Sequence, residues 1–257
     1  MDSFRKLLDI MAALRAENGC PWDREQTHKS LKPFLVEEAY EVLEAIDEGD
    51  PSKIKEELGD LLFQIVFHAQ LGKERGEFDM DGIIEGISRK MVTRHPHVFG
   101  GAQCATSEEV RTQWDERKKE EGKLLESLLE GVPKELPSLL RAHRLQARAA
   151  RVGFDWNRVE DVLGKLEEEL GEFRKALESK DKAEIEEELG DILFTLVNIS
   201  RFVKVSPEDA LRKTIHKFIS RFRYIEMKAA EAGKSLHEMT LEEMDALWEE
   251  AKETGSP

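Results

Sequence analysis

The chain has 257 residues, a formal net charge of −15 and a pI of about 5.1. This acidity argues against a protein that binds duplex nucleic acid, because such a protein needs a basic face for the phosphates. It leaves a nucleotide substrate open, since a bound metal ion can reverse the local charge. No stretch is long and apolar enough for a membrane span, and we expect no signal peptide at the N-terminus.

The cysteine content indicates a reducing compartment. The two cysteines, Cys20 and Cys104, are far apart and form no C-x-x-C motif. We therefore predict reduced, structural thiols and a cytoplasmic location.

Apolar spacing and capping residues predict helices along the whole chain. No run alternates apolar and polar residues with the β-branched enrichment that is typical of strands. Gly131-Val132-Pro133 and Pro137 indicate a linker, which predicts two domains, residues 1–130 and 131–257. The predicted fold class is all-α, with two tandem helical-bundle repeats. The predicted helices span residues 4–15, about 33–48, 51 to about 72, about 81–94, 159–178 and 182–202, with further helices after Thr106, Ser206 and Thr240.

Capping residues mark several of the predicted helix starts. Asp50 and Ser206 precede prolines at the first helical position, which suits an N-cap. Three further starts carry an acidic residue three positions after the cap, which predicts a capping box. These pairs are Thr106 with Glu109, Asp181 with Glu184, and Thr240 with Glu243.

One acidic pattern occurs twice. Glu-Glu-Leu-Gly-Asp stands at 56–60 and again at 187–191, and each copy follows an E-E-x-x-E motif. The two sets are separated by 131 positions, as from Glu38 to Glu169. Residues three apart on a helix share a face, so two facing helices would form a pocket of four carboxylates. The sets are Glu38, Glu41, Glu57 and Asp60 in the first half, and Glu169, Glu172, Glu188 and Asp191 in the second.

The neighbouring residues favour a site over a solvated charged face. The helix from Ile54 to Ala69 is apolar on nearly all sides, which predicts a buried helix with Glu57 at the border of its main apolar face. Each like-charged contact there would cost on the order of 4 kcal/mol at 4 Å and an effective dielectric of 20. Such a cluster needs protons or cations, and an all-oxygen donor set suits Mg2+ first, with Mn2+ possible.

Three smaller features have two interpretations each. Gly59 and Gly190 lie in mid-helix, which indicates a closely packed helix or a ligand, with close packing favoured. Trp22 belongs either to the core or to a base-binding wall, with the core favoured. His95 and His97 could bind a metal, but no acidic partner is near in sequence, so a loop is favoured.

These motifs together closely resemble the MazG family of nucleoside triphosphate pyrophosphohydrolases. The resemblance rests on the acidic motifs of both halves, on G-C-P-W-D at 19–23, on R-H-P-H-V-F at 94–99 and on L-L-E-G-V-P-K-E-L-P at 128–137, and it covers nearly the whole chain. It implies an all-α fold, a homodimer that shares four-helix bundles between subunits, Mg2+ dependence, and cleavage of nucleoside triphosphates to monophosphate and pyrophosphate. A role in maintaining the nucleotide pool would follow.

The resemblance also implies roles for individual residues. In the second repeat, which looks like the main catalytic one, the metal ligands fall on Glu169, Glu172, Glu188 and Asp191. The basic and aromatic nucleotide contacts fall on Lys217, Arg221, Trp248 and Lys252. The first repeat keeps all four acids, and its Lys90 and Arg94 match Lys217 and Arg221 in spacing, as Trp114 and Lys118 match Trp248 and Lys252. His216 stands where an acidic residue is common in the family.

Charge chemistry predicts how these residues would act. A triphosphate cannot approach bare carboxylates, so the metal would bridge them and orient or deprotonate a water. Glu168 or Glu187 could take the proton of that water. Lys217 and Arg221 share a helix face and could neutralise phosphate oxygens. Trp248 could equally stack on a base or pack in the core. The assignment of Lys252 as a nucleotide contact is open to the same extent.

Two other functions are compatible with the acidic motifs. A di-iron carboxylate bundle would need Glu-x-x-His motifs, and none accompanies these acids. A non-catalytic helical partner protein that binds divalent ions would differ from the enzyme by releasing no pyrophosphate.

Overall fold

A computed structural model describes residues 2–101, 106, 109–110 and 127–253. The described residues form helices and no strand, which confirms the all-α prediction. None of these helices combines the length and the apolar character needed to cross a membrane. The helices are Asp2–Arg15 (α1), Pro21–Glu25 (α2), Lys32–Glu48 (α3), Pro51–Arg75 (α4), Met80–Arg94 (α5), Pro96–Phe99 (α6), Ser138–Ala150 (α7), Val159–Ser179 (α8), Lys182–Phe202 (α9), Pro207–Glu231 (α10) and Leu241–Glu253 (α11), with a 3-10 turn at Leu236–Glu238.

The chain divides into two compact units, Met1–Lys123 and Leu124–Pro257. In the first unit, α3 and α4 form a helical hairpin, α1 packs on α2 and α4, and α4 also contacts α5. In the second unit, α8 and α9 form the equivalent hairpin, α7 contacts α9 and α10, and α10 packs against α9 and α11. Each unit is thus built around one hairpin that carries one of the acidic motifs.

The two hairpins turn by similar local chemistry. The side chain of Asp50 accepts a hydrogen bond from the backbone N–H of Ser52, and that of Asp181 accepts one from Ala183, both at 2.8 Å. The predicted capping box at Asp181 is wrong, because the carboxylate of Glu184 instead accepts a hydrogen bond from the Ser179 hydroxyl at 2.7 Å. The N-cap prediction for Asp50 is confirmed.

The other predicted caps agree with the structure where it describes them. The hydroxyl of Ser206 accepts a hydrogen bond from the backbone N–H of Asp209 at 3.3 Å. Both bonds of the capping box between Thr240 and Glu243 are present, at 3.2 and 3.0 Å. At Thr106 the side-chain hydroxyl accepts a hydrogen bond from the backbone N–H of Glu109 at 3.2 Å.

The residue that ends the first helix of each hairpin has a left-handed backbone conformation. Gly49 ends α3 with φ +72°, and Lys180 ends α8 with φ +60°. Glycine adopts this conformation without steric cost, whereas a residue with a Cβ is strained by about 1 kcal/mol. The second hairpin therefore carries strain that the first avoids.

Replacing Lys180 with glycine is expected to stabilise the second unit. Relief of about 1 kcal/mol should raise the midpoint of thermal unfolding by about 2–4 °C, which differential scanning calorimetry would measure. Lys182→Gly is the matched control and should lower the midpoint, since Lys182 begins α9 with helical geometry. A lower midpoint for Lys180→Gly would contradict the argument.

The core of the first unit lies between α1 and one face of α4. Met11, Val66, Phe67 and Leu71 are all buried there and pack together. The first unit therefore buries the α4 side that contacts α1, and packs α3 alongside.

The prediction that α4 is buried on nearly all sides is wrong for the single chain. Leu58 and Ile65 are 49% and 40% exposed, and their counterparts Leu189 and Leu196 in α9 are 46% and 45% exposed. The apolar pattern showed how wide the apolar face is, but the helices of one unit cover only part of it. Both hairpins thus present a matching apolar row to the outside.

The mid-helix glycines lie in open space. A Cβ added at Gly59 or at Gly190 would meet no other heavy atom within 4 Å. The preferred explanation, close packing of another helix, is therefore wrong for the described part of the chain. Trp22 is likewise half exposed, with its ring edge-on to Phe34 at 5.7 Å between centroids, so it does not fill the core.

Candidate active site

Each hairpin brings three glutamates together. Glu38 and Glu41 lie one turn apart on α3, and the facing helix α4 contributes Glu57. Each of the three offers a carboxylate oxygen, and these oxygens all lie within 4.8 Å of one another. The second hairpin repeats this arrangement with the same distance limit, using Glu169 and Glu172 of α8 and Glu188 of α9. We call these the first and the second glutamate cluster.

The fourth acid of each predicted set lies beside its cluster. Asp60 and Asp191 are exposed and are not members of the three-oxygen groups. Their charges are nevertheless close enough to act on the clusters, because Asp60 helps to raise the pKa of Glu57 and Asp191 helps to raise that of Glu188. The structure thus brings together three of the four predicted carboxylates in each unit and places the fourth nearby.

Three acids of the two glutamate clusters, Glu38, Glu57 and Glu188, have pKa values above the ordinary value. Burial raises the pKa of Glu38, and the charges of Glu41 and Asp60 add to this, while a hydrogen bond from Gln64 opposes it. Burial also raises the pKa of Glu188, followed in effect by the charges of Glu172 and Glu169. Either a proton or a bound cation would reduce the repulsion between such neighbouring carboxylates.

Three buried side-chain oxygen atoms have no hydrogen-bond partner in the described part of the chain, and two of them belong to a cluster acid or to the hydrogen-bond partner of one. These two are Oε2 of Glu188 and Oε1 of Gln64, whose Nε2 donates to Glu38 at 3.4 Å. A buried acceptor without a donor is costly, and a cation would satisfy it. Because the ligand atoms of both clusters are carboxylate oxygens, the residues present fit a hard divalent cation such as Mg2+ or Mn2+.

Lys165 is a site residue that the sequence analysis missed. Its Nζ lies 2.8 Å from an oxygen of Glu168 and 2.8 Å from one of Glu169. These two hydrogen bonds raise the pKa of the Lys165 ammonium group. The spacings of three and four residues along a helix could have revealed the contact. Comparing the two halves did not reveal this contact, because the residue equivalent to Lys165 in the first half is Phe34.

The two candidate proton acceptors have different surroundings. Glu168 is exposed and forms the ion pair with Lys165, so its carboxylate is already engaged. Glu187 is exposed, and its charge contributes to the raised pKa of Glu188. Of the two, Glu187 is the one for which the structure shows an electrostatic connection to the cluster acid Glu188.

Two of the predicted nucleotide contacts lie together in the second unit. The guanidinium of Arg221 lies over the ring of Trp248, 5.4 Å from its centroid. Trp248 is half-buried and also contacts Phe218, with 5.4 Å between ring centroids. Lys217 lies one turn before Arg221 on α10 and is exposed. The tryptophan therefore packs against α10 while keeping part of its surface open.

The remaining predicted nucleotide contacts differ from this arrangement. Lys252 is exposed and forms an ion pair with Glu249. In the first unit, Lys90 is exposed whereas Arg94 is buried, so this pair does not match Lys217 and Arg221 in burial. Trp114 and Lys118 lie outside the described residues.

Neither glutamate cluster includes a histidine. Within the described ranges, the groups of ligand atoms that could hold a metal consist of glutamates alone. His28 and His68 contact each other through their Nδ1 atoms at 2.7 Å, but they belong to neither cluster. A di-iron centre built on Glu-x-x-His pairs has no counterpart among these residues.

Comparisons with known proteins agree with this geometry. The model of the MazG nucleotide pyrophosphohydrolase domain matches residues 26–99 and 158–225, and each match contains one complete acidic set. This double match confirms the predicted tandem repeat.

Similar proteins cover nearly the whole chain. The "Nucleoside triphosphate pyrophosphohydrolase/pyrophosphatase MazG" of Thermotoga maritima is 47% identical over 97% of this chain and 95% of its own length. The "Nucleoside triphosphate pyrophosphohydrolase" of Escherichia coli K12 is 44% identical over 98% of both chains. A crystal structure of a mazG-related protein from Thermotoga maritima covers 45% of this chain and 98% of that one, with 30% identity and a TM-score of 0.39. The chain therefore belongs to the MazG nucleotide pyrophosphohydrolase family.

Proposed function

We propose that this chain hydrolyses nucleoside triphosphates, or their deoxy forms, to the monophosphate and pyrophosphate, with a divalent cation, Mg2+ by preference, at its glutamate clusters. The observation that carries this proposal is the convergence of Glu169, Glu172 and Glu188, with one buried oxygen left without a donor. The names of the two relatives that match nearly the whole chain support the same reaction. Such a reaction would remove triphosphates from the nucleotide pool.

Charge determines which residues would hold the metal. The second cluster would hold it through Glu169, Glu172 and Glu188, with Asp191 alongside, and the first through Glu38, Glu41 and Glu57, with Asp60 alongside. When bound, the cation supplies Lewis acidity at the α-phosphoryl group and lowers the pKa of a coordinated water. Without that charge, the carboxylates would repel a triphosphate.

The other residues of the second unit would bind substrate and move a proton. Glu187 is the carboxylate next to the cluster that can accept a proton from the attacking water. Lys217 and Arg221 would neutralise phosphate oxygens from one face of α10. The open part of Trp248 offers a surface on which a base can stack, and Phe218 contacts the same ring with 5.4 Å between centroids.

The test is a nucleotide panel with the two products measured separately. The purified chain is incubated with each nucleoside triphosphate and Mg2+, and pyrophosphate and phosphate are quantified before any pyrophosphatase is added. We expect equal amounts of pyrophosphate and monophosphate. Free phosphate with the diphosphate as first products would show attack at the terminal phosphorus and would overturn the proposal. Release of neither product, with Mn2+ still bound, would indicate the non-catalytic ion-binding protein.

We also propose that the chain forms a homodimer through its hairpins. The support is the matching pair of apolar rows, one on each hairpin. Each row has three large apolar residues, and each of them has an equivalent in the other row. All six side chains are exposed in the single chain, which is unusual for a contiguous apolar surface. These residues are Leu58, Leu62 and Ile65 on α4, and Leu189, Leu193 and Leu196 on α9.

A charge placed in both rows is expected to separate the dimer. We expect the wild-type chain to have about twice the 29.5 kDa mass of one chain by light scattering, and Leu62→Asp with Leu193→Asp to have the mass of one chain. Burying an unpaired carboxylate in an apolar interface is strongly unfavourable. Leu241→Asp, at an exposed leucine of α11, is the control and should leave the mass unchanged. A wild-type chain that is monomeric at micromolar concentration would refute the proposal.

A further inference from the structure

The two glutamate clusters differ in the residue that accompanies their most buried acid. In the second cluster, Glu169 is only 5% exposed, and the ammonium group of Lys165 lies 2.8 Å from its carboxylate. In the first cluster, the equivalent acid Glu38 receives a hydrogen bond from the neutral carboxamide of Gln64 at 3.4 Å. The repeat therefore conserves the acids but not their partners.

The first cluster has no lysine at the position equivalent to Lys165. Phe34 stands there, and its ring packs against the core of the first unit and the edge of Trp22. The charge of Lys53 opposes the raised pKa of Glu57 without cancelling it, and the ammonium group of Lys53 is paired with Glu48. Glu38 thus has the neutral side chain of Gln64 as its partner, whereas Glu169 has the charged ammonium group of Lys165.

An ammonium group and a divalent cation compete for the same buried carboxylate. Glu169 has most of its surface enclosed and Lys165 occupies one of its two carboxylate oxygens, so a metal would have to share this carboxylate with the ammonium group or displace it. Releasing Lys165 from a partly buried, charge-assisted hydrogen bond costs free energy, and this cost weakens metal binding at the second cluster. Glu38 gives up only a long hydrogen bond from a neutral amide.

We propose that Lys165 is a built-in counter-ion that lowers the divalent-cation affinity of the second glutamate cluster below that of the first. This inference rests on the proposed function only in taking the clusters as metal sites. It makes the first cluster the one that fills at low metal concentration. The second cluster would fill only as the metal concentration rises further, so the availability of free metal would control its loading.

The experiment measures Mn2+ binding to the full chain by electron paramagnetic resonance, without nucleotide. Two single-cluster variants isolate the sites: Glu188→Gln leaves the first cluster intact, and Glu57→Gln leaves the second. We expect the Glu188→Gln chain to bind Mn2+ more tightly than the Glu57→Gln chain. Adding Lys165→Met to Glu57→Gln should tighten binding by about tenfold, the scale of one charge-assisted hydrogen bond that is partly exposed.

Lys175→Met is the matched control, because Lys175 is an exposed lysine on the same helix. It removes the same charge and should change the Mn2+ affinity far less than Lys165→Met. If Lys165→Met and Lys175→Met have equal effects, or if the second cluster binds Mn2+ as tightly as the first in the single-cluster variants, the inference is wrong. If neither cluster binds Mn2+, the proposed function fails instead. Should Lys165→Met not fold, the comparison of the two single-cluster variants still decides the question.

Discussion

Replacing Glu188 and Asp191 together with alanine is expected to lower kcat/KM for nucleoside triphosphates by at least about a hundredfold, the scale seen when one preorganised charge-stabilising group is lost. Glu188 belongs to the second glutamate cluster and has an oxygen with no donor, and Asp191 acts on it through its charge. Removing both takes away half of the acids that would hold the cation. The measurement is the initial rate of pyrophosphate release at saturating Mg2+.

The same double variant is expected to keep its fold and to gain stability without metal. Burial and the charges of Glu172 and Glu169 raise the pKa of Glu188, so the ionised group is unfavourable in the folded chain. Its removal should leave the helical circular dichroism unchanged and raise the melting temperature in EDTA. Lost activity together with increased stability is the pattern expected of a functional site under strain.

Glu57→Ala with Asp60→Ala is the matched control in the first unit. It removes the equivalent acids and should reproduce the gain in stability, so any difference in activity between the two double variants reports which cluster turns over substrate. We expect the second glutamate cluster to be the one that turns over substrate. A folded Glu188→Ala, Asp191→Ala chain with wild-type turnover would remove the catalytic assignment.

Divalent cations are expected to stabilise the chain, and more strongly at higher pH. A ligand that binds only the folded state at one hundred times its Kd adds about 2.7 kcal/mol of stability per independent site. For a unit of this size, that corresponds to an increase of roughly 5–10 °C in melting temperature. The increase should appear with Mg2+ or Mn2+ and disappear on adding EDTA.

The sign of the pH effect follows from Glu38 and Glu188. Both have a folded-state pKa above the ordinary value of 4.5, so between 4.5 and that raised pKa the folded chain binds more protons than the unfolded chain. Their contribution to stability therefore falls as the pH rises through this window. A metal must displace those protons, so its stabilising effect grows over the same window.

The measurement is the melting temperature at several pH values, with and without Mg2+, for the wild type and for a chain with Glu38→Gln and Glu188→Gln. Other groups titrate in both chains, such as Glu74, whose pKa is lowered by Arg15, and the comparison cancels them. We expect the variant to lose most of the Mg2+ effect and to depend less on pH without metal. An Mg2+ effect that is equal in both chains at every pH would contradict the assignment of these acids.

The helices and the acidic clusters could be predicted well because local signals determine them. The helix after Asp181 was predicted for residues 182–202 and is found there, since an N-cap and a sustained apolar pattern mark it. A spacing of three residues places Glu169 and Glu172 on one face, and the short hairpin then brings Glu188 opposite them. The repeat supplied a second, independent instance of each feature.

Features that depend on neighbours were harder to predict. A helical period shows that Leu58 and Ile65 belong to an apolar face, but not whether the same unit covers it. The glycine at position 59 suggested a close approach, yet the space beside it is open in the described structure. Lys165 was missed because comparison of the repeats emphasised what the halves share, and the lysine occurs only in the second.

The guanidinium of Arg148 has a practical consequence for isolating the second unit. Its Nη1 donates to the carbonyl oxygens of Leu128, at 3.2 Å, and of Glu130, and its Nη2 donates to that of Gly131 at 3.3 Å. A fragment that starts at the predicted boundary, residue 131, would lack two of these three acceptors and leave a half-buried cation short of partners. A shortened chain for expression should therefore begin upstream of Leu128, so that all three hydrogen bonds from Arg148 to backbone carbonyl oxygens are retained.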